Sequence, residues 1–188
     1  MMQETPDVES PAAAVTQFAR ALDFAARAHC DQRRKGTRAE PYVNHLAEVA
    51  LLVAEACGGR DMDAVLGALL HDTLEDTETT FDELAAAFGP KVAAVVAEVT
   101  DDKNLSKAER KRRQIEHAPH ASPSAKLVKL ADKISNVRSL LSSPPANWPK
   151  KRVEEYVDWS CAVVDGLRGV SSELERRFDA AVNAARAG

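Results

Sequence analysis

Apolar residues return every three or four positions along nearly the whole chain, and between these runs stand residues that start and stop helices. This pattern leaves little choice of architecture, because each amphipathic helix must lay its apolar stripe against another. Phe18, Leu22 and Ala25 mark the first, over 12–29. Leu46, Val49, Leu52, Val53 and Ala56 mark a second from about Val43, closed by Gly58 and Gly59. Asp61 stands where it can cap a third, whose stripe is Val65, Leu66, Leu69 and Leu70. Thr80 with Glu83, and Ser106 with Glu109, have the spacing of capping boxes. Pro90 suits the first turn of a helix running to Val99, and Ser122 with Pro123 opens one through Leu127, Leu130, Ile134 and Val137. A Pro-rich loop, 142–149, precedes two closing helices near 149–167 and 171–186. No segment reads as a strand. The expected fold is all-α, a single helical bundle of about eight to ten helices over 12–188, after a loose polar tail at 1–11.

Composition narrows the function. Hydrophobic residues are 45% of the 188 but aromatics only 5%, an Ala, Leu and Val balance that favours packed helices over a β-sandwich. The net charge of −4 speaks against a nucleic-acid coat protein, so any basic site is local. No stretch has the length and apolarity of a membrane span or a signal peptide. Cys30, Cys57 and Cys161 are widely spaced with no CxxC pair, which reads as free thiols in a reducing cytoplasm. The pattern does not specify an oligomeric state.

The chemistry gathers where an apolar stripe ends in His71 and Asp72, a costly place for unpartnered polar groups. Asp72 follows Leu69 by three residues and so points inward with it; His45 precedes Val49 by four, and Asp132 follows Val128 by four. Three helices therefore each aim a potential ligand at the core. Two imidazoles and two carboxylates suit Mn²⁺, Fe²⁺ or Zn²⁺. A lone inward histidine is more often a satisfied core residue than a ligand; the whole arrangement carries the metal reading. Glu75 and Asp76 lie four residues after His71 and Asp72, so on a continuing helix each stands above a ligand, where it can orient or deprotonate water. The alternative is an acidic, solvated helix end. Asn136, four residues after Asp132, can fix a ligand or a substrate, and Lys129 faces the site or pairs with its acids. Arg33, Arg34 and Lys35 form one basic cluster, and Lys103, Lys107, Arg110, Lys111, Arg112 and Arg113 another. A polyanionic small molecule is drawn to such clusters, although most exposed basic side chains are simply solvated.

The order PYVNH (41–45), HDTLED (71–76) and KLVKLADKISNVRSL (126–140) resembles the HD-domain phosphohydrolases. Within them it is similar to the hydrolase domain of the RelA/SpoT alarmone enzymes, most of all to the stand-alone small hydrolases of the metazoan SpoT-homologue type. FAARAHCDQRRKG (24–36), EVTDDKNLSKAERKRRQ (98–114) and APHASPSAKLVKLADK (118–133) extend the likeness over about 18–174. The resemblance implies an HD fold with Mn²⁺ on His45, His71, Asp72 and Asp132. It implies release of the 3′-pyrophosphate of guanosine tetra- or pentaphosphate, with Glu75 and Asp76 activating the attacking water. It implies phosphate contacts from Arg34, Lys35, Lys107 and Arg112, with Asn136 and Tyr156 in the substrate pocket. Two departures stand out. Ser135 replaces the larger His or Tyr usual in the family and is expected to loosen the pocket wall that selects the base. The chain also has no room for the synthetase and regulatory domains of the long enzymes, so hydrolysis alone is expected. Other readings are an HD phosphohydrolase acting on another nucleotide phosphate, such as the 2′-phosphate of NADPH, and a non-catalytic nucleotide sensor.

Overall fold

The computed structural model describes residues 11–187. The expected tail lies outside the described residues save Pro11, which opens the first helix. Ten α-helices follow in order: α1 Pro11–Ala28, α2 Val43–Cys57, α3 Met62–Leu70, α4 Thr73–Asp76, α5 Phe81–Phe88, α6 Pro90–Val99, α7 Lys107–His117, α8 Pro123–Ser142, α9 Lys150–Asp165 and α10 Ser172–Ala187. A 3-10 turn, Ala118–His120, links α7 to α8. Among the described residues there is no strand, only one antiparallel bridge between Arg33 and Pro41. No helix among them is long and apolar enough to cross a membrane.

α3 is the axis of the bundle. Every residue from Ala64 to Leu70 is buried, and the helix packs against α1, α2, α6 and α8. It has no polar face because it has no solvent-facing side. Each fully buried leucine here contributes about 1.5–3 kcal/mol. The helix is pinned at its start, where Asp61 accepts from the Ala64 N–H at 2.9 Å and from the Ser124 hydroxyl at 2.7 Å. The second bond ties the beginning of α3 to the beginning of α8.

Most helix ends obey local signals. α2 stops at Gly58 in the left-handed conformation, its N–H turned back on the Ala54 and Glu55 carbonyls. Thr80 and Glu83 form a complete capping box on α5. Ser106 caps α7 through the Glu109 N–H, while the Glu109 carboxylate is engaged by Arg112 and Arg113 further along the helix. Ser122 caps α8. That helix, 20 residues long, brings Lys129, Asp132, Lys133, Ser135 and Asn136 past the end of α3.

The segment carrying Arg33, Arg34 and Lys35 is fastened to the Pro-rich loop between α8 and α9. Thr37 donates its N–H to the Pro144 carbonyl, and the backbone at Gly36 lies so close that an added Cβ would stand 2.1 Å from the Ser143 carbonyl oxygen.

Close packing also fixes α3 against α6. A Cβ on Gly67 would meet Val95 Cγ1 at 2.7 Å. Gly67→Ala is therefore expected to lower the thermal midpoint, because overpacking costs about 1–3 kcal/mol and outweighs the roughly 1 kcal/mol gain in helix propensity. In a thermal-unfolding cycle, Gly67→Ala with Val95→Ala should cost less than the two changes summed.

Candidate metal centre and phosphate pocket

His45, His71, Asp72 and Asp132 converge. His45 Nε2 lies 3.3 Å from Asp132 Oδ1 and 3.7 Å from Asp72 Oδ2. His71 Nε2 lies 3.0 Å from Asp72 Oδ2 and 3.8 Å from Asp132 Oδ1. Atoms each about 2.0–2.2 Å from one ion stand about 3–4 Å from one another, as these do. Both imidazoles are buried, and both turn Nδ1 away from the centre. His71 Nδ1 is 2.8 Å from the Ala68 carbonyl, and His45 Nδ1 is 2.9 Å from Ser135 Oγ. A carbonyl only accepts, so the His71 Nδ1 carries a proton and its Nε2 is left facing the carboxylates. That Nε2 is buried without a hydrogen-bond partner, an orphan that a cation would satisfy. The donor set fits a divalent ion.

Burial works against charge on His71, but the neighbouring Asp72 and Asp132 carboxylates overcome it and raise its pKa to about 9. Burial wins at His45 and lowers its pKa. Burial also opposes ionisation of Asp72, yet His71 and His45 hold its pKa well below the usual range. Asp132 is likewise held low against burial, first by Lys133, whose Nζ is 3.0 Å from Oδ2, and then by the imidazoles. The Asp72 Oδ2 accepts from the Tyr42 hydroxyl at 2.7 Å, and burial together with that carboxylate raises the phenol's pKa. Tyr42 and Lys133 were given no role in the sequence reading, although both lie within its quoted motifs, 41–45 and 126–140.

The helix expected to continue through His71 and Asp72 does not. His71 closes α3, Asp72 sits at φ −98°, ψ −1°, and α4 starts afresh at Thr73, its buried hydroxyl bonded back to the Leu70 carbonyl. Glu75 and Asp76 are thus set on a separate four-residue turn, Thr73–Asp76. The Asp101 N–H donates to Glu75 Oε2 at 3.1 Å, and Arg110 stands 3.8 Å from Oε1. Burial nonetheless raises the Glu75 pKa above the ordinary carboxylate range. Asp76 is paired with Lys103 at 2.5 Å, and its carbonyl accepts from Gln32 at 2.8 Å.

A small cavity of about 160 Å³ lies against His71, Asp72, Glu75, Asp132 and Asn136. It shares Tyr42, Glu75, Asp76, Asp101, Gln114 and Asn136 as lining residues with a larger one of about 360 Å³. Arg34, Lys35, Lys107, Arg110 and Lys111 line the larger cavity, as do Tyr156, Trp148 and Trp159. Asn136 links the two: Nδ2 donates to Asp132 Oδ1 at 2.6 Å and Oδ1 accepts from Arg34 at 3.1 Å.

Two expectations change. Arg112 is not among the lining residues; it pairs with Glu109 and Glu116 along α7. Lys107, Arg110, Lys111 and Gln114 line the cavity instead, and their 3-4-7 spacing is the helical stripe that distinguishes them from Arg112. Ser135 does not form the pocket wall, being 1% exposed between His45 and Glu48. Lys129 faces the site, lining the small cavity, where its ammonium donates to the Val99 carbonyl at 2.8 Å and burial lowers its pKa.

The paired His71 and Asp72 fall within residues 21–157, the stretch that matches the family model of the HD domain, and the chain belongs to the HD-domain family. It is 52% identical over 159 residues to guanosine-3′,5′-bis(diphosphate) 3′-pyrophosphohydrolase MESH1 of Homo sapiens, across 85% of this chain and 89% of that one. The protein of the same name from Drosophila melanogaster is 46% identical over 164 residues, across 87% and 91%. The solved structure of a metazoan ortholog of SpoT, which hydrolyzes ppGpp and plays a role in starvation responses, matches with a TM-score of 0.87. That match has 42% identity and covers 94% of this chain and 98% of the other.

A metal and a proton compete for His71 Nε2. Apparent metal affinity is expected to rise with pH up to about 9, and binding near pH 7.5 should release protons, seen as buffer-dependent heats in titration calorimetry. The metal-free chain should show the opposite trend. A raised His71 pKa stabilises it fully below the unfolded value of about 6.5, and that stability disappears as pH rises through about 9. Added metal should flatten this loss in thermal melts.

Proposed function

We infer that the chain is a metal-dependent 3′-pyrophosphohydrolase of guanosine 3′,5′-bis(diphosphate) and of the corresponding pentaphosphate, releasing pyrophosphate with GDP or GTP. The observation that carries this reading is the pair of adjoining cavities, one against His71, Asp72 and Asp132 and the other basic and aromatic-walled, with six lining residues in common. The relatives that share most of the chain carry that activity in their names. Mn²⁺ on His45, His71, Asp72 and Asp132 is the assignment, with Zn²⁺ or Fe²⁺ as substitutes. A divalent ion there supplies a Lewis acid and brings the pKa of a bound water from 15.7 toward about 7.

The chain's own residues then act as follows. Glu75 takes a proton from the attacking water. A bond forms from the water oxygen to the phosphorus on the ribose 3′-oxygen, and the bond from that phosphorus to the 3′-oxygen breaks. The proton held by Glu75 is returned, directly or through water, to the 3′-oxygen, so that the nucleoside keeps a 3′-hydroxyl and the two phosphates leave together. Asp76, held by Lys103 and Gln32, fixes the position of this turn. Arg34 and Lys35 from one side, with Lys107, Arg110 and Lys111 from α7, neutralise the phosphates as charge develops. Asn136 keeps Arg34 and Asp132 in register. Tyr156, with Trp148 and Trp159 at ring-centroid distances of 5.6 and 5.4 Å, offers an aromatic surface to the base. A cytoplasmic location goes with a nucleotide substrate and three free cysteines.

Product analysis with purified protein, guanosine tetraphosphate and Mn²⁺ tests the assignment: pyrophosphate and GDP are expected, and orthophosphate contradicts it. Glu75→Gln should retain metal while turnover falls about 10²–10⁴-fold. Arg110→Ala should raise KM, whereas Arg112→Ala should leave both KM and kcat near wild type; equal effects of the two would displace α7 from substrate binding.

A further inference from the structure

The two imidazoles of the metal centre are held in the same orientation by different means. His71 leans on a main-chain carbonyl. His45 has instead Ser135 Oγ at 2.9 Å from Nδ1, and the Ser135 hydroxyl donates to Glu48 Oε2 at 2.7 Å. The other Glu48 oxygen is 3.3 Å from Arg138 Nη1. Ser135 and His45 are buried, at 1% and 3% exposed, while the Glu48 side chain is 37% exposed. α2 supplies both His45 and Glu48, and α8 supplies both Ser135 and Arg138.

A serine hydroxyl has one proton to give. A carboxylate only accepts, so with that proton committed to Glu48, Ser135 can offer His45 Nδ1 only a lone pair. Nδ1 must then be the protonated ring nitrogen, and Nε2 keeps its lone pair toward Asp72 and Asp132. Remove Glu48 and the hydroxyl is free to turn round and donate to Nδ1, which puts the proton on Nε2 and blocks it as a ligand.

We propose that Glu48 and Ser135 form a relay that fixes the tautomer of His45 and so sets the affinity of the metal centre, making both of them positioning residues. The proposal rests on the reading of His45 as a metal ligand. Outer partners of metal-bound histidines act in this way, and their loss typically lowers metal affinity about 10–100-fold. The relay also gives Ser135 a use that its small size alone does not explain.

The test is a Mn²⁺ titration of the full-length, metal-free chain against a competing chelator, for wild type, Glu48→Ala and Ser135→Ala. Alongside it, ¹⁵N chemical shifts of the His45 ring report which nitrogen carries the proton. Both variants should weaken Mn²⁺ binding about 10–100-fold, and Glu48→Ala should move the His45 proton from Nδ1 toward a mixture of Nδ1 and Nε2. Unchanged affinity in Glu48→Ala, or weakened affinity with the His45 tautomer intact, overturns the relay. Should Ser135→Ala fail to fold, the half-exposed Glu48→Ala still decides. If wild type itself takes up no Mn²⁺, the metal reading fails rather than the relay.

Discussion

Two carboxylates and two imidazoles drawn out of water to one point cannot be left to repel or to go unpaired. The placement of Asp72 and Asp132 among buried groups demands positive charge, and Lys133 and His71 answer that demand from the protein. Lys133 supports Asp132 and stacks its ammonium 4.6 Å over the Trp159 ring. His71 takes a proton when no ion competes for it. A divalent cation would meet the same need with both imidazoles neutral. The hydrophobic core has the complementary task of rigidity. α3 is buried on every side, so the His–Asp pair at its end has no freedom to drift toward solvent.

The interruption at Asp72 deserves its physical reason. A straight helix through 62–76 would place Glu75 and Asp76 over the ligands they follow, competing with them for the same ion. Ending α3 at Leu70 and restarting at Thr73 sets the acids aside while keeping them at the rim of the same small cavity. Glu75 is then buried enough for its proton affinity to rise but is tethered by the Asp101 main chain rather than by metal.

Much of this was legible in the chain. Asp61, Thr80, Pro90 and Ser122 announce helix starts through hydrogen-bonding capacity or a fixed φ, and local signals of that kind survive tertiary context. The inward direction of His45, Asp72 and Asp132 followed from spacing against Val49, Leu69 and Val128, since one buried residue of a turn betrays its neighbours three and four away. The helix break did not follow, because nothing in the HDTLED run is a Gly or Pro; the Thr73 hydroxyl bond to Leu70 and the surroundings of Asp72 accompany it instead. Arg112 was counted among the phosphate contacts through the family resemblance, and its angle around α7 separates it from Arg110 and Lys111, which line the cavity. Ser135 was judged by size, whereas its environment is set by Glu48, a residue 87 positions away in sequence whose proximity no local pattern records.

Asn136 touches both halves of the site, donating to a carboxylate on one side and accepting from Arg34 on the other. A phosphate that draws Arg34 away leaves the amide oxygen without its donor and alters the hold on Asp132. An ion that tightens Asp132 in turn steadies the amide and with it the guanidinium. On the proposed function, nucleotide and cation would in this sense be heterotropic ligands of one another, and thermodynamic linkage would require that each change the other's affinity by the same factor.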